Sequence, residues 1–168
     1  MNSMFETTAP ATQATASKQS ILLVDDDAAI RQILVRLLTE EDYLVLTAAN
    51  GVEALVLAES AKFDLVLLDL NMPVKDGWET FEQLTASQPL MPIILITARP
   101  NQLFPALASG VGALLEKPLD FTKLFRTIHE LLAEPEEMRL ARLAGRSAAF
   151  NHVRPVAGGP ERKSYRTE

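Results

Sequence analysis

The sequence predicts an α/β domain built on a doubly wound, five-stranded parallel sheet, and three observations carry that prediction. Five short apolar runs alternate with segments whose apolar residues recur at helical spacing. The runs are apolar at successive positions rather than alternate ones, as expected for strands covered on both faces. The stretches between them are long enough to hold one helix each, which right-handed parallel crossovers require.

The elements follow in order. ILLV at 21–24 is the first strand, and Ile30, Ile33, Leu34, Leu37 and Leu38 then fall on one helical face. YLVLTA at 43–48 is the second strand, followed by a plainer helix over about 51–61. DLVLLD at 64–69 is the third, and the helix after it begins near Gly77 and carries Trp78, Phe81 and Leu84 inward. PIILIT at 92–97 is the fourth. Pro100 and Pro105 restrict the backbone after it, so the fourth helix is expected to be short or irregular. ALLE at 113–116 closes the sheet. The last helix is expected to bury Phe121, Leu124, Phe125, Ile128, Leu131 and Leu132, with Thr122, Lys123 and Glu130 off that stripe.

The 168 residues suffice for one core and are short for two, so one domain is expected at 20–133. Residues 1–19 read as a flexible arm, without the charged start and apolar run of a secretory signal. An extra helix fits within 134–150, where Leu140, Leu143, Ala144 and Ser147 share a face beside Arg139, Arg142 and Arg146, an arrangement suited to docking or partner contact. Residues 151–168, with Pro155, Gly158, Gly159 and Pro160, read as a disordered tail. The formal net charge of −6 gives no global basic field for nucleic acid, although the chain from Pro135 onward holds seven basic residues against four acidic ones. With no cysteine, disulfides, thiolate metal sites and cysteine nucleophiles are excluded. No apolar run approaches the roughly 20 residues that cross a bilayer, so a cytoplasmic protein without membrane insertion is expected.

In a doubly wound sheet the ligand site lies beyond the carboxyl ends of the strands, where strand order reverses. That rule gathers Asp25 and Asp26 after strand one, Asp69 after strand three, Thr97 after strand four and Lys117 after strand five. Three carboxylates on one rim repel one another, and a hard divalent cation relieves that repulsion. Mg2+ fits, since it takes one or two carboxylates together with phosphate oxygens. Asp25 or Asp26, Asp69 and the main-chain carbonyl of Asn71 are the candidate ligands. Phosphoryl transfer mainly asks a protein for positioning and neutralisation. Lys117 offers a point charge for one phosphoryl oxygen and Thr97 a hydroxyl for another, while Asp69, held before Leu70–Asn71–Met72–Pro73, is the candidate nucleophile.

ILLVDDD, LVLLDLNMPVKDG, LITA and LEKPL, in that order, resemble the receiver domain of two-component response regulators, including the single-domain chemotaxis type, over about residues 20–133. The resemblance implies a (βα)5, flavodoxin-like fold with strand order 2-1-3-4-5. It implies that Asp25 and Asp26 are the acidic metal-binding pair, Asp69 the phosphoacceptor, Thr97 the switch hydroxyl and Lys117 the phosphoryl-contacting lysine, with Pro118 after a cis bond. It further implies Mg2+ dependence, a phosphohistidine donor on a sensor histidine kinase or histidine phosphotransfer protein, slow self-catalysed hydrolysis and an output partner that the sequence does not name. The chain departs from many receivers at Leu114, where an aromatic switch residue is common; Thr97, Ala98 and the loop at 98–105 are then expected to carry the signal. Asn71 and Arg99, each two positions beyond a rim residue, are expected to tune the phosphoryl lifetime.

Taken singly, these residues have plainer readings. Asp27 caps a helix, Asp69 and Thr97 end strands, and Lys117 is a solvated lysine at a turn. Four strand ends carrying the groups of one reaction favour the chemical reading. His129, His152 and Trp78 need no chemical role. A pseudo-receiver that only binds protein is the first alternative, opposed by the complete acidic set and Lys117. A regulator whose basic C-terminal helix touches nucleic acid is the second, though no recognisable helix-turn-helix supports it. A turnover phosphatase would want a general acid where Asn71 stands, so no enzyme in that sense is expected.

Overall fold

The computed structural model describes residues 18–73, 76–99, 101–146 and 150–155. A parallel sheet runs through it. Its strands are β1 (Ser20–Val24), β2 (Leu44–Ala48), β3 (Leu65–Asp69), β4 (Ile93–Thr97), β5 (Ala113–Glu116) and β6 (Asn151–Val153), in the order β2-β1-β3-β4-β5-β6. Between them lie α1 (Ala28–Glu40), α2 (Gly51–Ser60), α3 (Gly77–Ser87), α4 (Leu103–Ala108), α5 (Phe121–Ala133) and α6 (Glu136–Leu143). Among the described residues no helix is long and apolar enough to cross a membrane.

The continuous apolar runs are explained by two cores, one on each sheet face. Leu22, Val24, Val66, Leu68, Ile93, Leu95 and Leu114 pack against α2, α3 and α4 through Ala54, Ala58, Phe81, Leu84 and Ala106. Ile21, Leu23, Leu65, Leu67, Ile94, Ile96 and Leu115 pack on the other face against Leu34 and Leu38 of α1 and Leu124, Ile128 and Leu131 of α5. Local chemistry sets the helix starts. Asp27 caps α1 by accepting from the amides of Ala29 and Ile30. Asn50 caps α2 through Glu53 N while the Glu53 carboxylate accepts from Ala49 N, a reciprocal pair. Asp76 caps α3 and Asp120 caps α5. As expected from the prolines, α4 has only six residues.

Four sequence expectations need correction. The sheet has six strands, not five: residues 151–153, expected to lie in a disordered tail, pair parallel to β5 with Leu114 opposite His152. Two apolar side chains thought to be inward are outward, Ile33 at 48% exposed and Phe121 at 39%. Both line an open groove with Pro118 and Leu119, beyond the carboxyl end of β5. Trp78 is only partly buried; it meets Phe81 edge-on at 5.7 Å and donates from Nε1 to Gln102. Finally, Arg139 and Arg142 of α6 turn inward while Leu140 and Leu143 are exposed. Arg142 donates to Gly110 O and pairs with Glu134, and Arg139 donates to Leu131 O, so carbonyl groups and one carboxylate hold these two arginines, whereas Arg146 is exposed. Of the arm expected at 1–19, residues 1–17 lie outside the described residues, as do Ser147 and the tail beyond 155.

Candidate functional site

The carboxyl ends of β1, β3, β4 and β5 bring the predicted rim together. Asp25 follows β1 and Asp69 ends β3; both are 1% exposed, whereas Asp26 is open to solvent. One carboxylate oxygen from each of Asp25, Asp26 and Asp69 lies within 4.8 Å of the others. Backbone amides fix two of them, Asp27 N donating to Asp25 Oδ1 and Asn71 N to Asp69 Oδ1, each at 2.8 Å. Their remaining oxygens face Lys117, whose Nζ is 3.0 Å from Asp25 Oδ2 and 2.6 Å from Asp69 Oδ2. The Lys117–Pro118 bond is cis, as the resemblance implied, and Lys117 N donates to Thr97 O, tying its backbone to β4.

The electrostatics follow from burial. Burial raises the Asp69 carboxyl above its ordinary value of 3.8; hydrogen bonds from Lys117 and Asn71 N only partly offset that, and the charge of Asp25 adds to it. Burial would depress the Lys117 ammonium, but Asp69 and Asp25 outweigh it, so its pKa lies above the ordinary 10.5. One ammonium facing a pair of buried carboxylates with a third nearby leaves the cluster short of positive charge. An all-oxygen acidic donor set of this kind suits a hard divalent cation such as Mg2+.

Thr97, 1% exposed, does not touch the carboxylates directly in these contacts. Its hydroxyl donates to Asn71 Oδ1 at 3.0 Å and accepts from Arg99 N at 3.0 Å, and Ala98 N donates to the same Asn71 oxygen at 3.2 Å. Asn71 is therefore a connector between the Asp69 loop and the β4 end, a role that spacing alone did not show. Arg99 joins the site through its backbone, its side chain being exposed. Leu114 is fully buried between Leu95 and His152. Two further residues were missed. Arg31 donates to Asp25 O at 2.6 Å, one turn into α1, and spacing after the aspartates was its only sequence signal. Gly77 lets α3 start against the Asp69 loop: a Cβ there would press into Leu70 Cα and sit 2.5 Å from Asp69 O.

Beside Lys117 an apolar groove of about 280 Å³ is lined by Ile30, Ile33, Leu34, Pro118, Leu119 and Phe121. A larger open depression of about 840 Å³, around Lys62, Asp64, Gln88 and Arg139, lies at the opposite ends of the strands and holds none of this chemistry.

Comparison with known proteins agrees with the geometry. The family model of the response regulator receiver domain matches residues 21–129. The transcriptional regulatory protein GlrR of Escherichia coli is 38% identical over 116 residues, 68% of this chain but only 26% of that relative. A CheY-like receiver domain protein from Methanospirillum hungatei superposes with a TM-score of 0.67 at 33% identity, over 72% of this chain and 98% of the other. The response regulator TrrA, in its complex with the histidine kinase ThkA, gives 0.62 at 34% identity over 68% and 99%. The carboxylates, the lysine and the threonine thus stand on a shared framework, and the chain belongs to the response regulator receiver domain family.

Proposed function

We propose that Asp69 accepts a phosphoryl group from the phosphohistidine of a sensor histidine kinase or histidine phosphotransfer protein, and that the phosphorylated state changes affinity for an output partner. The observation that carries this reading is the Lys117 ammonium placed between buried Asp25 and Asp69. An Asp69 oxygen attacks phosphorus, the phosphorus–nitrogen bond of the donor breaks, and the imidazole leaves with its electron pair and takes a proton. Asp25, Asp26, Asp69 and the Asn71 carbonyl would hold Mg2+, which supplies charge neutralisation. Lys117 pairs with a phosphoryl oxygen, and Thr97 reorients from Asn71 to donate to another. Hydrolysis returns the Asp69 carboxylate and inorganic phosphate. Asn71 offers no acid for turnover on external esters, so the chain acts as a phosphoacceptor rather than a phosphatase.

The apolar groove beside Lys117 supports docking of a helix that carries the donor histidine, since it places exposed Phe121 and Ile33 next to the acceptor. The inward turn of Arg139 and Arg142 weakens the reading of α6 as a nucleic-acid contact. Incubation with acetyl phosphate and Mg2+ tests the proposal: the expected result is an acid-labile phosphoryl group on Asp69, lost in Asp69→Asn and in chelator. An acid-stable label persisting in Asp69→Asn overturns it.

A further inference from the structure

The sixth strand is held by contacts that lead back to the rim. Phe150 packs on the core face that contains Leu114, Leu103 and Ala106, and Val153 packs on the opposite core with Leu115 and Ile128. His152 Nε2 and Glu116 Oε1 lie 2.7 Å apart, and Asn151 Nδ2 donates to Glu130 at 2.7 Å. Glu116 is the register partner of Thr97 and the chain neighbour of Lys117. The anchor of β6 is therefore one residue from the cation of the site and opposite Thr97 in the sheet register.

We propose that the edge of β5 is a strand-docking surface which the chain's own residues 150–155 occupy while Asp69 is unmodified and vacate when it is phosphorylated. This rests on the phosphoacceptor reading above. Three register pairs make β6 a short, weakly held element, of the kind that opens locally before the core does. Donation from Thr97 to a phosphoryl group ends its bond to Asn71, and the backbone of Ala98 and Arg99, bonded to the same atoms, moves with it. Leu103, which packs against the same core face as Phe150, then shifts, and the seat of Phe150 on that face loosens. Lys117, turning from two carboxylates toward the phosphoryl group, disturbs Glu116 and its tie to His152. The vacated edge presents a row of unpaired backbone groups, which an extended peptide can pair with as an added strand.

The test uses the full chain with Mg2+ and beryllofluoride, whose binding is read first from the amides of Asp69 and Asn71. The expected result is exchange of the 151–154 amides faster by about fivefold or more on loading. Reciprocity requires that Phe150→Ala with His152→Ala bind beryllofluoride more tightly by a similar factor, and that His152→Gln, which keeps a hydrogen-bonding side chain, remain near wild type. Loaded and free chains exchanging equally at 151–154, or a double variant that binds no tighter, overturns the latch while leaving the phosphoacceptor intact. Absence of beryllofluoride binding overturns both.

Discussion

Lys117 Nζ lies 2.6 Å from Asp69 Oδ2, so the cation proposed to contact the phosphoryl group is already paired with the proposed nucleophile. Removing that cation leaves two buried carboxylates facing each other. Lys117→Ala is expected to cost on the order of 3 kcal/mol in metal-free buffer, with much of the loss recovered by Mg2+. Acetyl phosphate should still label Asp69, while amide shifts at 97–106 on beryllofluoride binding collapse. Urea unfolding with and without Mg2+, and the shift map, check both parts. Full remote shifts in the variant would deny Lys117 its role in transmitting the signal.

The raised pKa of Asp69 sets a pH dependence. Between its unfolded value near the ordinary 3.8 and its higher folded value, the folded chain binds more protons than the unfolded one, so this group's contribution to stability falls as pH rises through that interval. Lys117 acts at the other end: its contribution is full below 10.5 and is lost as pH climbs through its raised folded value. In chelator, wild type should therefore lose stability relative to Asp69→Asn as pH rises from the ordinary 3.8 through the raised folded value. Mg2+ should flatten that difference by neutralising the carboxylate. Parallel stability curves for the two proteins in chelator would show that Asp69 is not strained by burial.

The five main strands were legible because each is covered on both faces, which forces a continuous apolar run, and the strand-end rule then places Asp25, Asp69, Thr97 and Lys117 on one rim. Asp27 as a cap was legible from chemistry confined to one turn. Strand β6 was not, because Asn151, His152 and Val153 carry little strand signal; they are ordered by Glu130, Glu116 and a core built elsewhere in the chain. Helical periodicity placed Phe121 and Ile33 on buried faces but could not show that the sheet ends before reaching them. The inward turn of Arg139 and Arg142 was not legible because their acceptors, Gly110 O, Leu131 O and Glu134, are outside the helix.

Asn71 joins Thr97 Oγ1 and Ala98 N to the Asp69 loop, and Arg99 stands exposed one step beyond. Asn71→Ala is expected to change the dephosphorylation rate more than the rate of labelling, and to leave Thr97 partly released before phosphorylation. Arg99→Ala should change only the dephosphorylation rate. Single-turnover labelling and decay measured on both variants separate these effects; decay equal to wild type in both removes them as tuning residues.

Gly77 sits where α3 meets the carbonyl of Asp69. Gly77→Ala must push the helix start and the Asp69 loop apart, at an overpacking cost of about 1–3 kcal/mol. Because the displaced backbone carries Asp69, the proposed nucleophile, labelling by acetyl phosphate should slow as well. A variant that is destabilised yet labels at the wild-type rate would show that the loop relaxes away from the site.

Helix α6 is attached mainly by polar anchors, and that predicts an unusual sensitivity. Arg142, 9% exposed, donates to Gly110 O and pairs with Glu134, while Leu140 faces outward and Leu143, 38% exposed, rests at the edge of Gly110. Replacing Arg142 with Ala leaves Glu134 buried without this partner, a loss of about 3–5 kcal/mol for a buried pair broken on one side. Arg139 still reaches Glu134 at 3.7 Å, so the cost should fall toward the lower figure. The loss is local, since α6 lies outside both sheet cores. Arg142→Ala is therefore expected to raise amide exchange across 136–146 and expose that segment to proteases, while labelling of Asp69 stays at the wild-type rate. Arg142→Ala with Glu134→Gln removes the orphaned charge and should restore part of the protection. By contrast, Leu140→Ser should leave protection of α6 unchanged, because that side chain is 49% exposed. If Leu140→Ser unfolds the helix and Arg142→Ala does not, α6 is held by its apolar face and the inward turn of the arginines contributes nothing to its docking.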